Sequence, residues 1–384
     1  MTSTVPAPVT WLDPATCRVQ DLHAVVERGT DPGAFPRARV EQGVPVYDGD
    51  RLRAEAAGPD AGRAAQAELV RALLDGPGIV VVHRAFPDAE IVDRATAAFS
   101  ALIEAQNAAG TAPGDHFAAA GSNDRVWNAL EKLAVADPDT FAAYYANDVL
   151  ALVCDAWLGP GYQVTSQVNV VNPGGAPQSP HRDYHLGFQS PAGAARYPAH
   201  VHRLSPALTL QGAVAHCDMP VETGPTLYLP HSQKYPAGYL VADRADFRAY
   251  FAEHHVQLPL TQGDAAFFNP ALLHGAGRNR STDVRRMANL LQVSSAFGRA
   301  MERVDRDRVA AAVLPALRRM RAAGAAERQL HHVVAAAAEG YPFPADLDRT
   351  PPVDGLAPPT RADLLAEAVR DDWDDARFAA ALAG

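Results

Sequence analysis

The sequence predicts a mostly β core with flanking helices, a jelly roll or sandwich rather than a parallel α/β sheet. Two observations carry this. Between residues 162 and 296, short β-branched or alternating runs (YQVTSQVNVV, ALTLQGAVAH, TLYL, AAFFN, MANLLQVSS) follow one another, separated by Gly, Pro, Asn and Asp. No helical pattern falls between them, as a crossover sheet would require. On both sides of this region the apolar residues return to helical spacing.

Taken in order, residues 1–61 are rich in Pro, Gly, Asp and Arg and read as an irregular arm, with a short helix near 21–28. Ala65, Leu69, Val70 and Leu73 mark a helix over 62–74; Gly76-Pro77 stops it, and GIVVVH follows as a strand. Another helix is expected over 88–106 and two more between 138 and 157, ending at Gly159-Pro160. Residues 62–299 thus form one helix-supported β domain. Ala-rich helices over 306–323 and 325–338, a Pro-rich connector and terminal helical pieces near 361–382 make residues 300–384 a helical extension, one that could pair two subunits as a homodimer.

The chain has 384 residues and a net charge of −10, so a basic field for nucleic acid or an anionic membrane is absent. Neither partner is expected. No apolar run approaches the roughly 20 residues that cross a bilayer. The three cysteines form no CxxC pair, and the N-terminus lacks a basic segment followed by an apolar one. A cytoplasmic protein acting on a small molecule is the expectation.

Two His-x-Asp triplets lie in the β region, His181-Arg182-Asp183 and His216-Cys217-Asp218. At this composition chance supplies roughly one such triplet, so either alone carries little weight. A third element adds to them: His274 ends a strand before Gly275, and Arg285 opens the next strand. Residues i and i+2 of an extended chain project to one side, so His-x-Asp offers an imidazole and a carboxylate together. Two imidazoles and one carboxylate on one face of iron(II) leave three positions for a bidentate 2-oxo acid and dioxygen. An arginine can hold the remote carboxylate of such an acid through paired bonds.

Three segments, PGGAPQSPHRDYHLGF, ETGPTLYLPHSQKY and the GD...FF...LLHGAGRNRS...RR block, stand in this order and resemble the phytanoyl-CoA dioxygenase-like oxygenases, which depend on iron(II) and 2-oxoglutarate. The resemblance covers roughly residues 62–297. It implies a double-stranded β-helix (a cupin-like jelly roll), with His181, Asp183 and His274 as iron ligands and Arg285 as the partner of the 2-oxoglutarate carboxylate. It places no ligand at His216 or Asp218, which leaves that triplet a structural role. Fe(II), 2-oxoglutarate and O2 are the implied cofactors, and hydroxylation with release of succinate and carbon dioxide is the implied outcome. Asp183 stands where halogenating relatives carry a small residue, which disfavours halogenation.

Thr165, Gln167 and Asn169 share one face of their strand and Val164, Val168 and Val170 the other. The polar face suits a barrel lining, making Gln167 and Asn169 candidate contacts to cosubstrate or substrate. A solvated face explains it as well. Residues 110–123, with His116, and residues 187–197 are expected to border the pocket mouth. His185 could face the pocket or be satisfied by its loop, while Thr226 and Leu227 read as hairpin architecture. Two other functions remain open: a cupin-type metalloenzyme that uses the triad without 2-oxoglutarate, to which Arg285 would be of no use, and a non-catalytic binding or assembly homologue.

Overall fold

The computed structural model describes residues 9–110, 123–352 and 355–383. Among the described residues are eleven strands: β1 (Ala38–Glu41), β2 (Val44–Asp48), β3 (Ile79–His83), β4 (Asn123–Val126), β5 (Gln163–Val171), β6 (Thr209–Ala215), β7 (Leu227–Tyr228), β8 (Val256–Gln257), β9 (Ala265–Phe268), β10 (His274–Gly275) and β11 (Arg286–Ser294). Eight form one sheet in the order β1-β2-β3-β9-β6-β11-β5-β4, and three form a smaller one in the order β10-β7-β8. Every pairing is antiparallel except β2 with β3.

The two faces of the large sheet have different duties. Val80, Val168, Leu210, Phe267, Met287 and Leu291 belong to a core shared with helices Pro59–Leu74, Ala89–Ala108 and Asp148–Leu158. The opposite face carries Gln167, Asn169, Gln211, Ala266, Arg286 and Ala288 and borders a cavity of about 120 Å3, whose far wall includes Tyr228 and His274 of the small sheet. This is the expected jelly-roll arrangement, a large and a small sheet enclosing a pocket.

Helices Arg306–Ala322, Glu327–Ala337, Arg361–Arg370 and Asp375–Ala383 lie in the expected C-terminal region. Val309, Leu317, Val333, Leu365 and Phe378 join the same core as the sheet, so these helices cover the barrel. Among the described residues no helix is long and apolar enough to cross a membrane.

The irregular arm expected over residues 1–61 is corrected: helix Val19–Val26 falls where a short helix was expected, but the arm also contains helix Gly49–Ala56 and the hairpin β1-β2, and β2 joins the large sheet beside β3. The hairpin turns through Gln42 and Gly43, both at positive φ (48° and 79°). Gln is an unusual residue for such a turn, so the local signal is weak. Only burial of Val44, Val46 and Tyr47 makes the strand. The all-β reading of 162–296 is corrected too. Helix Ala199–Ala207 precedes β6, and helix Ala245–His254, held by Phe247, Tyr250 and Phe251 at spacing i, i+3, i+4, precedes β8.

Candidate metal centre

His181 lies outside the named strands, yet its backbone forms an antiparallel bridge with His274 at the start of β10. His181 N–H donates to His274 O at 2.9 Å, and His274 N–H donates to His181 O at 3.1 Å. This bridge sets two residues that are distant in sequence side by side, with ring centres 4.5 Å apart. Asp183, two residues on, turns to the same side and is held by its own N–H bond to Pro270 O at 3.0 Å. Its carboxylate lies 3.5 Å from His274 Nε2 and 3.7 Å from His181 Nε2. The three ligand atoms all fall within 4.8 Å of one another.

The chemistry of the donors fits a divalent metal. His181 Nδ1 faces Ser179 O at 2.8 Å, and His274 Nδ1 faces Leu272 O at 2.9 Å. A carbonyl can only accept, so each Nδ1 carries its ring proton and each Nε2 is left as a lone pair turned toward the carboxylate. Burial, then the neighbouring His274, pushes His181 below the usual imidazole range and favours its neutral form. Burial alone would raise the Asp183 carboxyl. With Nε2 of the imidazoles protonated, the hydrogen bond with His274, the imidazole charges and the bond from Gln211 would outweigh it and hold the group well below the usual carboxylate range.

Two supporting residues escaped the sequence reading. Gln211 of β6 donates through Nε2 to Asp183 Oδ2 at 2.5 Å, which orients the carboxylate. Its sequence signal was slight, one large polar residue on a face otherwise carrying Ala213 and Ala215. Arg182 points away from the ligands, is 3% exposed, and donates through Nη2 to Ser232 O and Tyr235 O at 2.5 and 2.8 Å. Burial pushes its guanidinium down to about 10. A Cβ at residue 238 would come within 1.9 Å of the Arg182 guanidinium carbon, so Gly238 is what lets the clamp close.

Arg285, expected to hold the 2-oxoglutarate carboxylate, is not brought to the cavity. Its side chain is 58% exposed and outside the cavity, ion-paired with Asp124 at 2.9 Å and bonded to Asn172 Oδ1 at 3.2 Å. Arg286 lines the cavity instead and is 6% exposed. Burial pushes its guanidinium down to about 10, and it has no ion pair among the described residues. Strand alternation sets Arg285 in line with Met287 and Leu291, which lie on the helix-packed face, and turns Arg286 to the other side. What the pattern could not show is which set points inward, because β11 is buried on both faces and neither set is distinctly polar.

Gln167 and Asn169 both line the cavity. Gln167 accepts from Arg125 Nη1 at 3.4 Å and reaches Met301 Sδ at 3.3 Å, while Asn169 Oδ1 is buried without a hydrogen-bond partner among the described residues. Thr226 is in the wall as well, near Tyr228. His185 is not; its Nδ1 meets Ser205 Oγ at 3.1 Å. The segment 187–197 contributes Phe188 to the wall, half exposed. The other expected rim segment, with His116, lies outside the described residues apart from its ends.

His216 sits far from this chemistry. Its Nδ1 meets Thr96 Oγ1 at 2.8 Å and its Nε2 meets Tyr144 OH at 3.0 Å, so both ring nitrogens are engaged. Burial pushes it down to about 3.

The sequence profile of the phytanoyl-CoA dioxygenase (PhyH) family matches residues 74–287. No curated protein matches the chain in sequence. Among solved structures, the chain is similar to the non-haem alpha ketoglutarate dependent epimerase SnoN from nogalamycin biosynthesis, at 23% identity over 61% of this chain and 84% of that one, with a TM-score of 0.45. It is similar to the carbocyclase SnoK from the same biosynthesis at 21% identity over 62% and 84%, TM-score 0.42. AviO1 from Streptomyces viridochromogenes Tue57 gives 19% identity over 62% and 97%, TM-score 0.43.

Proposed function

The chain belongs to the phytanoyl-CoA dioxygenase family of non-haem iron, 2-oxoglutarate-dependent oxygenases, and on that premise we propose that it hydroxylates an unactivated C–H bond of a small molecule. The reaction would convert the C–H bond, dioxygen and 2-oxoglutarate into an alcohol, succinate and carbon dioxide. His181, Asp183 and His274 are the residues that would hold iron(II), which when bound supplies the activation of dioxygen that C–H oxidation requires.

The remaining work belongs to the chain's own groups. The carbonyls of Ser179 and Leu272 fix the imidazole tautomers, and Gln211 fixes one carboxylate oxygen, so the donors are oriented before any metal arrives. Arg286 would bind the distal carboxylate of 2-oxoglutarate. The presence of Asp183 as a third donor supports hydroxylation over halide transfer.

One observation carries the reading: Arg286 is a buried cation without an ion pair among the described residues, in the same cavity as the triad. A buried guanidinium calls for an anion, and a dicarboxylate that reaches both it and the triad meets that need. The test is a calorimetric titration of the manganese(II)-loaded protein with 2-oxoglutarate, followed by aerobic assay of the iron(II) enzyme for succinate. We expect one 2-oxoglutarate per chain and slow uncoupled succinate formation. A protein that took up metal but no 2-oxoglutarate would instead favour a metalloenzyme that works without an oxo acid.

A further inference from the structure

The cavity has a second arginine in its wall. Arg125, on the edge strand β4, is 6% exposed. Its backbone stands opposite Asn169 of β5, but its head runs along the sheet, where Nη1 donates to Gln167 Oε1 at 3.4 Å. The guanidinium carbon lies 4.9 Å from the centre of the Trp127 ring. Gln167 stands opposite Leu290 of β11, four residues along from Arg286, or roughly 13 Å at the rise of a strand. The two arginines therefore serve different parts of the cavity.

The surroundings of Arg125 differ from those of Arg286. Trp127 and, beside Gln167, Met301 give this end of the wall an aromatic and thioether surface, and Phe188, half exposed, lines the same cavity. Gln167 and Gln292 are its polar members. Glu302 acts on Arg125 through its charge, and one of its oxygens accepts the Asn128 N–H at 2.7 Å. A cation in a low-dielectric wall attracts an anion more strongly than one in water does, and a planar guanidinium matches carboxylate and phosphate oxygens in a fork.

We propose that Arg125 receives an anionic head group of the substrate, a carboxylate or a phosphate, while Trp127, Phe188 and Met301 take an apolar or aromatic body. This rests on the oxygenase reading above, in which 2-oxoglutarate occupies Arg286. The substrate is then an amphiphilic small acid, and a neutral analogue of the same shape is discriminated against at Arg125.

The test uses the manganese(II)-loaded protein saturated with 2-oxoglutarate, so that Arg286 and the metal are occupied. It is titrated calorimetrically with 4-phenylbutanoate, with 4-phenylbutyl phosphate and with the neutral 4-phenylbutanamide. At least one anion should bind about tenfold or more tightly than the amide, and the better of the two identifies the head group. Arg125→Gln should erase that difference while 2-oxoglutarate affinity stays within about twofold. Trp127→Ala should weaken all three probes alike. Arg125→Lys should fold even if Arg125→Gln does not, and should keep only part of the preference.

Equal binding of anions and amide would overturn the proposal. So would the absence of binding by any probe, a preference unchanged in both Arg125 variants, or loss of 2-oxoglutarate affinity in Arg125→Gln, which would assign Arg125 to the cosubstrate. Failure of the oxygenase reading looks different: the wild type would not take up 2-oxoglutarate before any probe is added.

Discussion

The triplets His181-Arg182-Asp183 and His216-Cys217-Asp218 have the same pattern and opposite fates. In the first, each acidic and imidazole group turns its ligating atom into a cavity, and each ring nitrogen not needed there is occupied by a backbone carbonyl. In the second, the imidazole is closed off on the helix-packed face by Thr96 and Tyr144. Asp218 meanwhile accepts the Gln262 N–H at 3.0 Å on the exposed side. A ligand is made by the lone pair its surroundings leave over, and a buried histidine with both nitrogens engaged has none.

The comparison is broken most directly by removing the imidazoles one at a time. His181→Ala should take iron(II) stoichiometry from about one per chain to near zero, whereas His216→Ala should keep it. The cost of His216→Ala should fall on stability, by about 2–4 kcal/mol, because it opens a cavity and takes one hydrogen-bond partner from each of two buried hydroxyls. Metal analysis together with denaturant melts of both variants reads the difference; iron lost from the His216 variant and kept in the other would reverse the assignment.

A neighbouring pair of arginines makes the same contrast of inward and outward. Arg286→Ala should weaken 2-oxoglutarate binding by about two orders of magnitude, two charge-assisted bonds being lost at about 1.4 kcal/mol per decade. Arg285→Ala, which breaks only an exposed pair with Asp124, should change it less than about threefold. Equal effects of the two would remove Arg286 from the cosubstrate site.

Acid should distinguish the triplets as well. His216 stays neutral in the folded chain down to about pH 3, while an unfolded histidine protonates near the ordinary value of about 6.5. Between these values the unfolded state binds more protons. The contribution is therefore full above about pH 6.5 and is lost as pH falls toward 3. Between pH 6.5 and 5 the wild type should lose roughly 1.5 kcal/mol more stability than His216→Gln. Parallel curves for the two would show that His216 titrates normally.

The smallest expected effect is at the rim. Amides in residues 187–197, which bring Phe188 to the cavity, should exchange a few-fold more slowly when manganese(II) and 2-oxoglutarate are bound. Unchanged exchange would make the segment a fixed wall.

The main strands of residues 162–296, the helices flanking them and the pairing of His181 with Asp183 at i, i+2 were legible in the sequence, since turn residues, periodicity and spacing are local properties that survive without neighbours, whereas His274 joined the pair only through the resemblance to the oxygenase family. Other features were settled only by packing. The hairpin β1-β2 exists because β3 offers it an edge and the core buries Val44 and Tyr47. Gln211 reaches Asp183 only because β6 and the His181 segment are brought across the same cavity. Arg182 becomes a clamp because Gly238, at the start of the short helix Gly238–Val241, leaves room for it. Arg286 rather than Arg285 enters the cavity because a strand covered on both sides carries no contrast of polarity to mark its inner face. The facing of side chains across a sandwich is a relation between strands far apart in the chain, and only the folded pairing of β11 with β5 and β6 decides it.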